Sequence, residues 1–327
     1  MMSEKTPLVI QSPFIQGTKL QWAWDSTSLG WLKECPRKYQ YHMLEGWRTK
    51  AEAVRLEFGI LYHRALEHFE KYRVSWAYEE SLRMVVHDLL KWTWRDGKPW
   101  RASAALDMED KVSVLCRENL VRTVVWYIEK FRNDPAKTKV LGDGQPMVEL
   151  HFLISLNRHP WDHLSEKPYK ESYALCGYLD RVVSFQGEDY GMDRKSTTST
   201  IGSYYFDRFE PDNQMTLYTI AIQAGFKTPV RGMIVDAVQI AVGFSRFQRS
   251  ILFKTQEQLD EWLTDLHYWL DQAERYAAQN YWPQNDKSCQ NYGGCTFRKV
   301  CSKSPSVRDR FLHTDFEKHF WNPMEPR

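Results

Sequence analysis

Tyr173-Ala-Leu-Cys-Gly-Tyr-Leu-Asp180-Arg-Val-Val-Ser-Phe185 and, just beyond it, Tyr190-Gly-Met-Asp193-Arg-Lys195-Ser-Thr197 decide how this chain folds. Both runs are rich in β-formers, and Gln186-Gly187-Glu188-Asp189 between them has turn composition, so the pair reads as a β-hairpin. Side chains alternate across a strand, which puts Asp193 and Lys195 on one face and Arg194 on the other. Folding the strands together would bring Asp180 toward Asp193, and two nearby carboxylates repel unless a cation neutralises them. Hard oxygen donors suit magnesium or manganese. The plain alternative is a pair of exposed hairpin carboxylates with a salt-bridged lysine, because Asp-x-Lys alone is a short motif.

Outward from the hairpin, the N-terminal side is helical. Ser26 to Leu44 reads as two short helices, with Pro36 in the first turn of the second. Phe58 to Arg73 is amphipathic, with Leu61, Ala65, Leu66 and Phe69 at helical spacing and His63 on the same helix. Ser75 to Arg95 and Ala104 to Phe131 follow, and the turn-forming Leu141-Gly-Asp-Gly-Gln-Pro146 closes this half. The period then changes. Val148 to Leu156, Met233 to Val242 and Phe244 to Phe253 read as strands, Pro211 to Ala224 as a helix carrying Gln214 and Tyr218 on one face, and Gln256 to Tyr281 as a long helix. Strands interleaved with helices predict an α/β fold, a mixed central sheet flanked by helices with the hairpin in its middle. The expected organisation is an extension (1–25), one domain (26–303) and a tail (304–327). Within that domain a helical insertion covers about 75–140, the core about 147–255, and the long helix with a cysteine loop about 256–303.

The chain of 327 residues can bury a large core. A formal charge of +2 is too small to announce a nucleic-acid partner, so affinity for phosphates would rest on local patches. One comprises Lys33, Arg37, Lys38, Arg48, Lys50 and Arg55, the other Arg298, Lys299, Lys303, Arg308 and Arg310. With 14 Trp the chain is rich in aromatics, and Trp22, Trp24, Trp92, Trp94 and Trp100 are candidates either for the core or for stacking on bases. The start lacks a secretory apolar core and no run is long enough to span a membrane, so a cytoplasmic protein is expected.

In that compartment six cysteines point away from disulfides. Cys289, Cys295 and Cys301 recur evenly in a glycine-bearing loop, and three thiolates call for a fourth ligand to hold an iron-sulfur cluster or a zinc ion. Cys35 is the choice, because Cys116 reads as mid-helix and Cys176 as a strand residue, both buried. Ligation by Cys35 and the trio would staple the two ends of the chain. The alternative is a loop of unliganded thiols.

These residues together resemble RecB-type PD-(D/E)XK nucleases. The resemblance rests on Cys-Pro-Arg-Lys (35–38), Gly59-x-x-x-His63, Gly-Tyr-Leu-Asp (177–180), Asp-Arg-Lys (193–195), Gln214 with Tyr218, and the cysteine trio. The branch it is most similar to carries a four-cysteine iron-sulfur cluster, as in the nuclease domain of AddB and RecB-like CRISPR-associated exonucleases. The resemblance implies a restriction-endonuclease-like core and Mg2+ or Mn2+ on His63, Asp180 and Asp193, helped by the Arg194 carbonyl. It gives Lys195 the water and the scissile phosphate, Gln214 the positioning of substrate or Lys195, and Tyr218 the support of that helix face. Arg37 and Lys38 would contact DNA, and Glu149 is a loosely matching outer carboxylate. Cys35, Cys289, Cys295 and Cys301 would hold a [4Fe-4S] cluster, with zinc the alternative. The gaps depart from the usual C-x2-C-x5-C, since both here are five residues. The implied activity is a metal-dependent DNA exonuclease on ends or single strands in recombination, repair or replication, with a helicase, recombinase or single-strand-binding protein as partner. A phage or mobile-element source would suit a stand-alone version. The competing class is a non-cleaving nucleic-acid-binding or assembly protein on the same fold.

Overall fold

The computed structural model describes residues 12–95, 97–100, 114–161, 172–225 and 230–325. Its α-helices among the described residues are α1 (Ser26–Glu34), α2 (Pro36–Tyr39), α3 (Lys50–Tyr72), α4 (Tyr78–Trp92), α5 (Arg117–Lys130), α6 (Ser203–Asp207), α7 (Asn213–Gly225), α8 (Gln256–Gln279), α9 (Arg298–Cys301) and α10 (Arg308–Asp315). The sheet strands are β1 (Ala23–Trp24), β2 (Lys137–Thr138), β3 (Val148–Ser155), β4 (Ala174–Phe185), β5 (Glu188–Thr197), β6 (Gly232–Ile240) and β7 (Ser245–Phe253). Contacts divide the chain into two compact units, one formed by 1–47, 151–177 and 263–327, the other by 48–150 and 178–262.

In the second unit the expected hairpin is present. β4 and β5 pair antiparallel from Phe185↔Glu188 to Arg181↔Met192. The connection is tighter than the four-residue turn expected from composition: only Gln186 and Gly187 turn, both at positive φ, as a twisted two-residue hairpin requires. β5 then pairs parallel with β6, Tyr190↔Gly232 through Thr197↔Gln239, and β6 pairs antiparallel with β7. The sheet is therefore mixed, with helices on both faces, as the sequence pattern predicts. On one face Ile222 of α7 presses on Gly191 of β5, where any Cβ would overlap Ile222 Cδ1 and Met233 Sδ. On the other, Phe58, Leu61, Tyr62, Ala65 and Leu66 of α3 pack with Val85 and Leu89 of α4, Leu120 and Val124 of α5, and Val238 and Ile240 of β6. Each fully buried Leu or Val side chain there contributes about 1.5–3 kcal/mol.

Two local readings are corrected. α7 starts two residues after Pro211, at Asn213, because Asp212 caps it: its Oδ1 accepts the Met215 N–H at 2.8 Å. α5 begins at Arg117, so Cys116 is a buried N-cap residue, not mid-helix; residues 104–113 of the expected helix lie outside the described residues. Glu149 adopts φ 48° inside β3, a left-handed conformation that a non-glycine strand residue reaches only at a cost of about 1–3 kcal/mol.

In the first unit β1 runs parallel to the start of β4 (Ala23↔Ala174, Trp24↔Leu175). Asp25 then caps α1 by accepting the Ser28 N–H at 2.9 Å, with the Ser28 hydroxyl reaching back. Trp24, Tyr39 and Trp282 stack in succession, with centroids 5.6 and 4.9 Å apart, and Tyr39 donates to Gln21 Oε1 at 2.9 Å. Trp22, Trp24 and Trp100 are buried, so these are core residues; Trp94 is exposed.

Candidate active site

The ladder between β4 and β5 ends at Arg181↔Met192, one residue short of Asp180 and Asp193. Beyond that point the backbone N–H of Arg194 finds no strand partner on β4, and the Asp180 carboxylate takes it at 2.7 Å. A buried N–H cannot be left unmet, so this bond both closes the ladder and fixes the Asp180 side chain. His63, partly buried on α3, brings Nδ1 to 3.3 Å from Asp180 Oδ2 and 3.9 Å from Glu149 Oε1. Ligand atoms of His63, Glu149 and Asp180 all lie within 4.8 Å of one another, the one such group of three among the described residues.

Asp193 lies alongside, buried, with Oδ2 2.6 Å from Lys195 Nζ. Lys195 donates to Gln214 Oε1 at 2.6 Å, and Gln214 Nε2 donates to the Tyr218 hydroxyl at 2.9 Å. Period two on β5 and the i, i+4 spacing on α7 produce this relay directly. Arg194, on the opposite face, is buried with its guanidinium 5.9 Å from the Tyr127 ring. Around it Tyr127 donates to Asp236, and Arg249 joins Asp236 at 3.1 Å to Asp134 at 2.7 Å.

The charges are in conflict. Burial and repulsion by Asp180 push the Glu149 carboxyl up to about 7, against the attraction of His63. Burial likewise raises Asp193, to about 6, although Lys195 opposes it. Asp180 is held well below the usual carboxylate range: burial would raise it, but His63, Lys195 and the Arg194 N–H outweigh burial. His63 and Lys195 are lowered by burial and raised more by these carboxylates, so both stay protonated to higher pH than usual. Glu149 Oε1 is buried and meets no hydrogen-bond donor among the described residues. Two carboxylates, that of Glu149 with an orphaned oxygen, and one imidazole fit a hard divalent cation, while Asp193 stands outside this group of three with its Oδ2 on Lys195.

Of the residues singled out from sequence, His63, Asp180, Asp193, Lys195, Gln214 and Tyr218 thus come together in one unit. Glu149 stands closer than an outer carboxylate, level with His63 and Asp180. Arg37 and Lys38 belong to the other unit. There Arg37 donates to the Trp282 carbonyl at 2.8 Å and lies over the Tyr281 ring, and Lys38 pairs with Glu34 at 2.7 Å.

In that unit Cys35, at the C-terminus of α1, accepts the Asn285 N–H at 3.3 Å on its sulfur. Cys289 lies in a 3-10 segment (Asp286–Gly293), its carbonyl accepting from the Cys295 N–H at 3.0 Å, and Cys301 ends α9. Burial raises the thiols of Cys295 and Cys301, the latter to about 11; Cys35 raises both further, while Lys38 acts against this at Cys295 and Arg308 and Arg37 at Cys301. Cys116 and Cys176 are buried elsewhere, and burial raises both thiols.

The mixed sheet thus carries clustered carboxylates and a lysine beside the open end of one hairpin. Residues 26–302 match the PD-(D/E)XK nuclease superfamily model, and the chain belongs to that superfamily, whose members use divalent metals. No curated protein matches it significantly. Among solved structures it is similar to SSO0001 at 12% identity, covering 77% of this chain and 78% of that one, with a TM-score of 0.30. A candidate exonuclease from Eubacterium rectale shows 11% identity, 88% and 92% coverage and a TM-score of 0.42. At such TM-scores neither neighbour bears on function. Among the described residues no helix is long and apolar enough to cross a membrane.

Proposed function

We propose that this chain is a Mg2+- or Mn2+-dependent deoxyribonuclease acting on DNA ends or single strands. The observation that carries the reading is the convergence of His63, Glu149 and Asp180 within 4.8 Å beside the Asp193–Lys195–Gln214 relay. His63, Glu149, Asp180 and Asp193 would hold the ion. Bound there, it would supply Lewis acidity toward the phosphate and a more acidic water. Asp180, fixed by the Arg194 N–H, gives the site its orientation. Glu149 and Asp193 give up the protons that burial encourages them to keep. Lys195, protonated and steered by Gln214, places a positive charge where the phosphate gains negative charge during attack. Electrophoresis of end-labelled single- and double-stranded DNA with Mg2+, Mn2+ or chelator tests this. Metal-dependent shortening from an end is expected; binding without cleavage under every metal would establish the non-cleaving class instead.

For the other unit we propose a structural [4Fe-4S] cluster on Cys35, Cys289, Cys295 and Cys301. An N–H donor on Cys35 sulfur and cations near Cys295 and Cys301 suit cluster thiolates. A zinc tetrahedron with bonds of about 2.3 Å holds sulfurs about 3.8 Å apart.

A further inference from the structure

Between β5 and α7 lies α6, which the relay does not use. Tyr205 on α6 is 5% exposed, and its hydroxyl is buried without a hydrogen-bond partner among the described residues. An unmet buried hydroxyl is unfavourable, and a phenylalanine would fill the same space without that cost. Arg208, Lys195 and Asp193 are the charged groups around that hydroxyl, and Arg208 comes near enough to offer it an N–H, so what the hydroxyl lacks is an acceptor for its own proton. Arg208 follows one turn later. Its guanidinium lies 4.1 Å over the Tyr205 ring and 4.8 Å over the Phe209 ring, is exposed to solvent, and makes no ion pair with a described residue. Stacking on two rings fixes the plane of the fork, and its solvent-exposed edge remains open to a ligand. Beside them Tyr204 is 87% exposed, a large aromatic with no share in the core.

A buried donor without an acceptor, an exposed guanidinium held flat on aromatic rings and an uncovered phenol ring form a consistent set. We infer that Tyr204, Tyr205 and Arg208 form a strand-gripping subsite for a nucleic-acid backbone. Tyr205 donates its hydroxyl to a non-bridging oxygen of the phosphate under attack, Arg208 forks onto the neighbouring phosphate, and Tyr204 stacks on an unpaired base. The inference rests on the nuclease reading and adds the residues that hold the strand.

The test compares wild type with Tyr205→Phe, Arg208→Gln and Arg208→Lys in steady-state cleavage of a single-stranded oligonucleotide, with thermal unfolding of each. Tyr205→Phe is expected to lower kcat roughly tenfold to a hundredfold, the order of losing one donor to a developing charge, while its melting temperature stays level or rises. Arg208→Gln is expected to raise KM about tenfold and to flatten the dependence of log KM on log salt by about 0.7, with Arg208→Lys recovering the salt slope but not the full affinity. Full activity in Tyr205→Phe, or a loss of activity matched by a lower melting temperature, overturns the assignment of Tyr205. An unchanged KM and salt slope in Arg208→Gln overturns that of Arg208. If wild type itself cleaves nothing, the nuclease reading fails separately, and fluorescence anisotropy with the same oligonucleotide decides the subsite: weaker binding by Arg208→Gln supports it and equal binding overturns it.

Discussion

Replacing Glu149 with Gln should stabilise the metal-free protein by an amount that grows from about pH 4.5 and levels off above about 7. Glu149 has a buried, unmet Oε1, a left-handed backbone and a carboxyl pushed up to about 7 by burial and by Asp180. A carboxyl whose folded pKa exceeds its unfolded value of about 4.5 holds its proton longer in the native state. Its contribution is therefore fully present below pH 4.5 or so and is lost as pH rises through about 7. The difference of about 2.5 units corresponds to about 3 kcal/mol by pH 8, or a melting shift of about 6–12 °C for a domain of this size. Glutamine keeps the shape and removes the charge. In EDTA, the melting temperature of Glu149→Gln should exceed that of wild type at pH 8 and converge with it near pH 4.5. With saturating Mn2+ at pH 8 the order should reverse, since wild type gains ligand-binding stabilisation that the variant has largely lost. A variant that melts below wild type in EDTA at pH 8, or keeps the full wild-type fall between pH 5 and 8, would refute the electrostatic reasoning.

Three further outcomes follow from the same geometry. Lys195→Ala should reduce kcat at least a hundredfold with folding intact by circular dichroism, whereas Gln214→Ala, which removes the steering of Lys195 and the bond to Tyr218 but leaves the charge, should cost about tenfold. Protein purified anaerobically should be brown and contain iron; Cys35→Ser should bleach it and lower the melting temperature, and a colourless wild type carrying zinc would reject the cluster. Gly191→Ala should destabilise by about 1–3 kcal/mol in urea titration, because the added methyl overlaps Ile222 and Met233.

The parts of this molecule legible in its sequence are those set by local periodicity. Alternation on β5 places Asp193 and Lys195 together, and helical spacing on α7 aligns Gln214 with Tyr218; both relations needed only the chain's own geometry. Boundaries shifted where a stronger local signal competed, as when Asp212 rather than Pro211 opened α7. The inner position of Glu149 was beyond pattern reading. It depends on one left-handed residue in β3, which the residue type gives no reason to expect. Tyr205 was equally hidden, since a tyrosine in an aromatic run reads as core and only the unmet hydroxyl distinguishes it.

Asp180 shows why the site and the fold are hard to separate. Its carboxylate replaces a strand partner for the Arg194 N–H, so removing it opens the ladder as well as the ion site. Its charge also adds to the upward push that burial gives Glu149 and Asp193, and with Asp193 it helps hold His63 and Lys195 protonated. A buried group that only stabilised the hairpin could be an amide, which would accept the same N–H without repelling two neighbours. The chain instead keeps Asp180 repelling both Glu149 and Asp193, with Glu149 on a strained backbone beside the same imidazole. Unmet, that arrangement lowers stability, and a divalent cation is the species that would turn the repulsion among the carboxylates into attraction and offset the cost of the strained backbone.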